Sequence, residues 1–470
     1  MPVIKFDFVA TILNPFVLLL LTVILGLLVG KIKIGKFRLG SSGTLFVGLI
    51  IGWLVYGVAE HIYAAREGND VSLKAALEIF ESNGGKLINN YFFTIALIFF
   101  VASVGLLASK DLGVVVKKYG SRFVILAIII TFVGAAATYT CSTLCKNTNS
   151  YATIGVYTGA LTSSPGLASA LETANEHAIE LADDYETCSE KEKQAIINVI
   201  RLDEKYDSLT VENTKSLTSD MKQAYVNQAT SQVGIGSAVG YPFGVIIVIL
   251  AVNFLDVIFK FDVEEERRKY IADMKAAHEK AKTREIPVTS FNIISFAIVC
   301  LVGYILGTIK VYLGPLGYVS LEATGGVLIS ALLLGYIGRI GPISFRMDSR
   351  VLIIIRELAI SFFLAVVGLN YGHGVIEAII GTGVVLAIMS LIVGTIAVLV
   401  GFFVGRYILN LNWILLSGAI CGGMTSTPGL GAATEAVGSD DPGVGYGATY
   451  PFALLGMVLF SILLNRIPMI

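Results

Sequence analysis

Charged side chains are scarce in this sequence. Only 15% of its 470 residues are Asp, Glu, Lys or Arg, whereas soluble globular domains average about 25%. The 34 basic and 35 acidic residues nearly cancel, which leaves a formal net charge of −1. The low charge argues against an ordinary soluble protein, and the balanced charge offers no basic field for nucleic acid as a partner.

Cysteine and the common chemical motifs are also sparse. Five cysteines are spread over the chain without a CxxC pair or the Cys/His spacing of a metal site. Cys141 and Cys145 can meet on one helical turn, either as two ordinary thiols or as a disulfide. The stretch GLLVGKI (26–32) lacks the spacing of a phosphate-binding loop, and no nucleophile–base pair stands out. We therefore expect no metal, no cofactor and no enzyme activity, and a coupling ion stays open.

Apolar residues are abundant instead. They make up 55% of the chain, and the mean hydropathy is +0.77. The stretches 14–30 and 384–405 approach or exceed the roughly 20 apolar residues that cross a bilayer core. The first stretch has no basic flank and no small-residue cleavage site, so we interpret it as a retained helix. The predicted class is an all-α polytopic membrane protein.

One short motif occurs twice. The sequence GALTSSPGLASALE starts at Gly159 and GGMTSTPGLGAATE starts at Gly422, so the copies lie 263 residues apart. The stretch 95–107 matches 358–370 at the same offset, and Tyr-Pro-Phe follows each copy of the motif. A shared offset across several segments indicates an internal duplication.

Insertions distinguish the two halves. The first half carries 54 extra residues between the motif and Tyr-Pro-Phe. They form an acidic, polar segment at about 175–230, for which we expect a small helical cap or hairpin. The charged segment 260–287 predicts a solvated linker helix. The predicted domains are a first transmembrane repeat at 1–259, this linker, and a second transmembrane repeat at 288–470.

Basic residues indicate the orientation. The loops at 31–38, 110–122 and 339–350 and the linker carry Lys and Arg, so they belong in the cytoplasm, and the acidic insertion lies outside. One topology places all these loops on their assigned sides only if each motif segment enters and leaves the membrane on the same side, as a re-entrant hairpin. Five spanning helices then remain in each half. Because five is odd, we expect an inverted repeat of ten spanning helices and two hairpins, with both termini extracytoplasmic.

The duplicated motif can end one helix and begin another at membrane depth. Proline disrupts a helix, and glycine lets backbones approach closely. Ser164 and Thr427 precede the prolines, which fits an N-cap followed by proline at the first helical position. N–H groups at such a helix start bind anions. The alternative is a kink or loop without a ligand. The predicted substrate-binding residues are Thr162, Ser163, Ser164, Pro165, Gly166, Thr425, Ser426, Thr427, Pro428 and Gly429.

Five further residues are secondary candidates. Tyr241 and Tyr450, from the two Tyr-Pro-Phe copies, place a phenol beside each hairpin or belong to an aromatic interface belt. Glu172 and Glu435 each follow the first threonine of their motif by ten residues, and they titrate or gate there or mark the water boundary. Arg356, near the start of an apolar helix, binds a substrate carboxylate or reaches back to the surface.

The paired pattern GxxTSxPGL, with Tyr-Pro-Phe downstream in a duplicated bundle, resembles the aspartate–alanine exchanger family. The resemblance covers nearly all membrane-spanning parts of both halves. It implies a homodimeric antiporter in the bacterial inner membrane, with a small anionic or zwitterionic solute as its partner. Paired re-entrant hairpins also resemble those of carriers with an elevator-like movement. The short linker leaves no room for the regulatory TrkA-C-type domains of many members, and the acidic insertion has no counterpart that we can place.

Other functions fit the same residues. A sodium- or proton-coupled symporter of dicarboxylates or amino acids would use the same paired hairpins. An anion channel would line a continuous pore with them. A membrane sensor would bind a ligand without moving it. The sequence favours the exchanger over these three.

Overall fold

The structure is a computed structural model that describes residues 7–34, 37–38, 40–66, 70–83, 85–110, 112–145, 148–281, 287–312, 318–380 and 383–466. Within these residues, seven helices have the length and apolar composition to cross a membrane, and four further apolar helices are shorter. The predicted class, an all-helical polytopic membrane protein, is confirmed.

The first half combines long apolar helices with one short β-hairpin. Asparagine side chains start several helices, because an amide oxygen accepts the orphan N–H groups of the first turn. The elements are α1 Phe8–Leu13, α2 Pro15–Gly30, β1 Lys33–Ile34, β2 Phe37–Arg38, α3 Gly43–Ala65, α4 Asp70–Leu77, α5 Asn90–Ala108, α6 Leu112–Leu144, α7 Ser150–Ala160, α8 Ser164–Asp183, α9 Glu190–Ile200 and α10 Ser219–Ile258.

A charged helix then leads to the second half. The second half has two strand pairings, β3 with β4 and β5 with β6, and both are antiparallel, like that of β1 with β2. The elements are α11 Val263–Ala281, α12 Ile293–Thr308, β3 Val311–Tyr312, β4 Tyr318–Val319, α13 Glu322–Ile337, β5 Arg339–Ile340, β6 Ile343–Ser344, α14 Ser349–Ile380, α15 Val384–Phe403, α16 Trp413–Gly423, α17 Thr427–Val437 and α18 Pro442–Arg466.

The order of elements repeats between the halves. Near its start, each half contains a helix, a hairpin of two-residue strands and a second helix, namely α2–β1–β2–α3, which follows α1, and α12–β3–β4–α13. Each continues with two long helices, a short helix that ends at the motif, a helix that starts there, and a long helix with an internal proline. The second series is α14 to α18, and the first is α5 to α8 followed by α10.

The helices pack in two groups. The flanking group comprises α2, α3, α5, α12, α13 and α14, and the central group comprises α6, α7, α8, α10, α15, α16, α17 and α18; contacts within each group are far more extensive than contacts between them. In the flanking group, α3 and α14 touch backbone to backbone. A Cβ on Gly48 would lie 2.9 Å from the Cα of Gly368, and the reverse distance is 2.8 Å. Glycine at both positions therefore permits this contact.

The acidic insertion is helical, as the sequence predicts. Helix α8 continues to Asp183, and α9 starts with a capping box in which Ser189 and Glu192 satisfy each other's backbone N–H. Ile197 and Ile200 are fully buried, and the Tyr185 hydroxyl donates to the carbonyl of Thr214 at 3.0 Å. The insertion is thus a packed extension of α8 and α10.

The predicted linker helix spans Val263–Ala281, and residues 282–286 of the predicted segment lie outside the described residues. The expectation of a solvated helix is wrong for one face. There the Glu266 carboxylate accepts hydrogen bonds from Arg406 at 3.2 Å and from the N–H of Trp413 at 3.1 Å. Burial raises the pKa of Glu266, but these two donors lower it more, so the net pKa lies below the ordinary value. The linker is therefore attached to the start of α16.

The cysteines are thiols. Cys141 and Cys145, for which a disulfide was the alternative, are both free, with Cys141 buried near the end of α6. Cys421, in the middle of α16, is fully buried among apolar side chains. These residues act as small packing groups.

Candidate functional site

Helix α7 ends at the first copy of the duplicated motif in a Schellman motif. The N–H of Ser163 donates to the carbonyl of Thr158 at 2.8 Å, and the N–H of Thr162 donates to the carbonyl of Gly159 at 2.8 Å. These are the two bonds that close a helix whose next residue turns left-handed. The residue in that position is Thr162, with φ of 53°.

Helix α16 ends in the same way at the second copy. The N–H of Ser426 donates to the backbone carbonyl of Cys421 at 2.8 Å, and the N–H of Thr425 donates to that of Gly422 at 3.1 Å. Thr425 has φ of 49°. Glycine usually occupies this position, because a β-branched residue there is strained. A strained backbone conformation costs about 1–3 kcal/mol, so something else must hold both threonines in place.

The two motifs hold each other. The Thr162 hydroxyl donates to the carbonyl of Met424 at 3.0 Å, and the Thr425 hydroxyl donates to the carbonyl of Leu161 at 2.8 Å. Leu161 and Met424 follow the last turns of α7 and α16, where carbonyls have no partner within their own helix. Each strained threonine thus satisfies the exposed end of the opposite helix. Glycine could adopt the same backbone conformation but could not supply this hydroxyl.

A new helix starts immediately after each break. The Ser163 hydroxyl accepts from the N–H of Gly166 at 3.1 Å, and the Ser426 hydroxyl accepts from the N–H of Gly429 at 3.2 Å. Ser163 and Ser426 are therefore the N-caps of α8 and α17. The positive ends of both helix dipoles lie at the point where the motifs meet.

The predicted N-caps, Ser164 and Thr427, are wrong by one residue. Both are already the first residues of their helices, and the prolines stand second. As a result, the Ser164 hydroxyl is exposed, and no hydrogen bond from it occurs within the described residues. The Thr427 hydroxyl is buried and lies 3.3 Å from the Tyr446 hydroxyl. The first tip offers a free hydroxyl, and the second does not.

A small cavity of about 80 Å³ lies between the two tips. It brings both motifs together with both predicted tyrosines. The lining comprises Phe93, Leu97, Thr162, Ser164, Pro165, Tyr241, Glu322, Thr324, Phe363, Thr425, Thr427, Pro428 and Tyr450.

A larger cavity of about 490 Å³ adjoins the first tip. It shares Phe93, Ser164 and Tyr241 with the small cavity, so the two are neighbours. Its lining also includes Lys86, Thr94, Thr158, Ser163, Leu167, Gly234, Ser237, Ala238, Val366, Val367, Asn370 and Tyr371.

Each cavity contains one charged side chain that the sequence analysis did not identify. Lys86 lines the large cavity, and Glu322 lines the small one. Asn370 positions the segment that carries Lys86, since its side chain bonds both the N–H and the carbonyl of Ile88 at 2.9 Å. The sequence contains one signal that could have drawn attention to Glu322. GKIKI at 30–34 in the first half is similar to GTIKV at 307–311 in the second, and Glu322 follows that second segment at the start of a short apolar helix.

Of the ten predicted motif residues, some line the two cavities and the others cap or pack the helices beside them. Three of them line neither cavity: Gly166 and Ser426 take part in capping, and Gly429 packs against Val248. The structure places the other seven in the linings, namely Thr162, Ser163, Ser164, Pro165, Thr425, Thr427 and Pro428.

The secondary candidates lie in three different settings. Tyr241 and Tyr450 line the small cavity. Arg356 lies outside both linings and forms an ion pair with Asp440 in the turn between α17 and α18.

The two candidate glutamates differ from each other. Both are exposed, but Glu435 accepts a hydrogen bond at 2.8 Å from the N–H of Ser41, two residues before α3. Among the described residues, no hydrogen bond of the Glu172 carboxylate occurs. Neither glutamate lines either of the two cavities. Within the described residues, no group of three or more His, Cys, Asp or Glu side chains is placed to hold a metal ion.

The sequence matches one family model over most of its length. The model is named Asp-Al_Ex and described as "Predicted Permease Membrane Region", and it matches residues 73–257 and 295–466. The two matched segments leave out α1–α3, the linker and the start of the second half.

Curated relatives resemble shorter parts of the chain. An uncharacterized transporter of Bacteroides fragilis is 36% identical over 178 residues, which is 38% of this chain and 33% of the relative. Uncharacterized transporters of Rhodopirellula baltica and Desulfotalea psychrophila are 34% and 31% identical, over 36% and 37% of this chain and 31% and 32% of their own lengths. The matched region thus spans about a third of each relative. The family model, with its match to both halves, shows that this membrane protein belongs to the aspartate–alanine exchanger family.

Proposed function

We propose that the protein is a secondary active transporter, an antiporter that exchanges small amino acids or carboxylates such as aspartate and alanine. One observation carries the proposal: the two interrupted helices meet through the Thr162 and Thr425 hydrogen bonds beside a shared cavity. Secondary transporters bind their solutes where discontinuous helices direct their positive ends at anionic groups.

The first tip supplies the main donor to the solute. Pro165 has no N–H, and the N–H of Gly166 is bonded to the cap. Ser164 therefore offers a carboxylate both its N–H and its hydroxyl. The second tip adds the N–H of Thr427, and Lys86 in the large cavity would attract a second carboxylate.

We further propose that α7 and α8 form a re-entrant hairpin. Near the start of α7, the Tyr151 hydroxyl lies 3.0 Å from that of Tyr225 on α10. At the end of α8, Asp183 pairs with Lys222 at 2.7 Å. Tyr225 and Lys222 lie on one turn of α10, so the two ends of the segment lie on the same side of the break.

The same reasoning applies to α16 and α17. The N–H of Trp413 donates to Glu266, and after α17 the Asp441 carboxylate accepts from the hydroxyl of Tyr270 at 3.5 Å. Glu266 and Tyr270 lie one turn apart on the linker helix, which follows the C-terminal end of α10. The first hairpin begins near the other end of α10. This supports two hairpins that enter from opposite sides, within an inverted repeat of ten spanning helices.

The remaining organisation follows from this topology. We propose a first repeat at 1–259, a cytoplasmic linker at 260–287 and a second repeat at 288–470, in the bacterial inner membrane with extracytoplasmic termini. The repeated element order and the two matched segments support this division. The sparse contacts between the flanking and central groups support an elevator-type mechanism in which the central group moves, and we propose a homodimer as the assembly.

Counterflow tests the transport mode. Purified protein in proteoliposomes loaded with unlabelled L-aspartate should accumulate external labelled L-aspartate or L-alanine against its gradient. A sodium- or proton-coupled symporter would also take up label into liposomes without internal solute when the matching ion gradient is imposed, and an anion channel would give no counterflow. Absence of counterflow for every amino acid and dicarboxylate tested would refute the proposal.

A matched pair of variants tests the site. Ser164→Leu places a bulky apolar side chain at the first tip and should abolish exchange. Thr140→Leu changes an exposed residue of α6 whose hydroxyl bonds only its own helix, and it should leave exchange unchanged. Equal activity of both variants would remove the first tip from the site.

A further inference from the structure

The carboxylate of Glu322 is a charged group in the small cavity that the proposed antiport does not by itself explain. Glu322 is the first residue of α13, and it lines the cavity together with Thr425, Thr427 and Tyr450. No ion pair or hydrogen bond to this carboxylate occurs among the described residues. This carboxylate is therefore available to accept a hydrogen bond from a cationic group in the cavity.

The backbone of Glu322 is also unusual. Its φ is 53°, in the left-handed region that favours glycine. Its carbonyl packs against Gly307, in the way that the carbonyl of Gly40 packs against Gly30 in the first half. The equivalent position is thus Gly40, with φ of 54°. The second half keeps a strained glutamate where the first half has the unstrained residue, and such strain is typical of functional positions.

The first half fills the corresponding space differently. The Glu435 carboxylate lies where a side chain on Gly40 would be, and it accepts the N–H of Ser41. Glu172 of the first half is the counterpart of Glu435 at the 263-residue offset, and among the described residues it makes no hydrogen bond to the backbone beside Glu322. The duplicated site is therefore asymmetric: only one of the two equivalent positions places a carboxylate in the cavity between the tips.

From this asymmetry we infer that Glu322 is a specificity-determining residue, whose carboxylate accepts a hydrogen bond from the ammonium group of the transported solute. The inference rests on the proposed transport function. The helix ends at Ser164 and Thr427 would hold the solute carboxylate, and Glu322 would accept from its ammonium group. A solute without that group would leave Glu322 desolvated and unpaired, and a site built for a hydrogen bond rejects such analogues strongly.

L-Aspartate and succinate are the probes, because succinate is aspartate without the ammonium group. Affinities for both are measured by ligand-dependent thermal stabilisation of the full-length protein, and transport by counterflow of each labelled compound. The wild type should bind L-aspartate about tenfold or more tightly than succinate, the effect of one hydrogen bond to a charged group. Glu322→Gln should reduce that ratio about tenfold or more, with succinate affinity unchanged or higher. Glu60→Gln, an exposed carboxylate on α3, is the matched control and should leave the ratio unchanged.

Three results would overturn the inference. Glu322→Gln could weaken both compounds equally, which indicates a purely structural role. It could abolish a dependence on sodium, tested against choline, without changing the ratio, which indicates a coupling cation. It could also change nothing.

A folding defect leaves the inference testable. If Glu322→Gln does not give folded protein, Glu322→Asp decides the matter, since it should weaken aspartate selectively, and an equal effect on succinate contradicts the inference. Loss of counterflow in the wild type refutes the transport proposal itself, independently of the ratio in the variants.

Discussion

The contact between the two tips makes a quantitative prediction. Thr162→Val and Thr425→Val remove one hydroxyl each and keep the size and branching of the side chain. Each variant deletes one of the two hydrogen bonds that join α7 to α16. The double variant deletes both, so the three proteins and the wild type form a double-mutant cycle.

The structure gives the magnitude. Thr162 and Thr425 are each 6% exposed, so the carbonyl acceptors of Met424 and Leu161 lie where water does not replace a lost donor. Leaving a buried acceptor without its partner costs about 1–3 kcal/mol. Both bonds join α7 to α16, so loss of the first already weakens the contact that the second supports. The second substitution should therefore lower the free energy of unfolding by less than the first. We expect a coupling energy on the order of 0.5–3 kcal/mol.

Equilibrium unfolding in mixed micelles measures these energies, and counterflow measures function. Exchange should fall in each single variant, because the solute site depends on both tips. Thr162→Ser retains the hydroxyl and should behave like the wild type. Thr140→Val removes a hydroxyl that bonds within its own helix and should change neither stability nor exchange. Strictly additive energies with full exchange in the double variant would refute the idea that the two bonds form one contact.

Three further predictions concern neighbouring groups. Arg356→Met leaves the Asp440 carboxylate without its partner, in a pair whose side chains are 16% and 14% exposed, and should lower the free energy of unfolding by about 3–5 kcal/mol. Ser164→Ala should weaken binding of L-aspartate about tenfold in the thermal stabilisation assay, because one donor to the carboxylate is lost. Because the pKa of Glu266 lies below its ordinary value, its bond to Arg406 stabilises the docked linker at neutral pH, and this contribution is lost as the pH falls through that lowered pKa. Glu266→Gln should make the linker protease-sensitive already at pH 7.

Each of these predictions has a contrary result. Arg350→Met changes an exposed arginine of α14, and an Arg356→Met protein as stable as this control would contradict the assigned role of the ion pair. Unchanged aspartate affinity in Ser164→Ala would remove that hydroxyl from the solute. A linker equally resistant to protease at pH 7 and at acid pH, in both wild type and Glu266→Gln, would show that Glu266 does not hold it.

Much of the local structure could be predicted from the sequence. The apolar stretches predict the helices, and the repeated Ser/Thr-Pro-Gly cluster predicts breaks in two of them. Proline cannot continue a helix in the ordinary way, and serine or threonine before it satisfies the exposed N–H groups of a new one. The N-cap is nevertheless Ser163 and not Ser164, because two adjacent hydroxyl residues fit the same local rule and the tertiary contact selects between them.

The features that the sequence could not reveal depend on contacts between distant segments. A left-handed Thr162 contradicts its own backbone preference, and only the carbonyl of Met424, 262 positions away in the chain, explains it. Glu322 lies outside the recognised motif and enters the site through the packing of α13. Arg356 looks like a free cation in the sequence, but Asp440 becomes its neighbour only after folding.

The two reciprocal hydrogen bonds, from Thr162 to Met424 and from Thr425 to Leu161, have a consequence for the evolutionary origin of the two halves. Each half contributes the same donor and a backbone carbonyl as acceptor, so two copies of a single half-length chain, related by a two-fold axis, would make identical bonds. Such self-complementary pairing is the rule in symmetric dimers. A gene for one half would thus already encode the means to join two chains at the contact between the tips, and fusion of duplicated genes would have added a connecting helix to a contact that already existed.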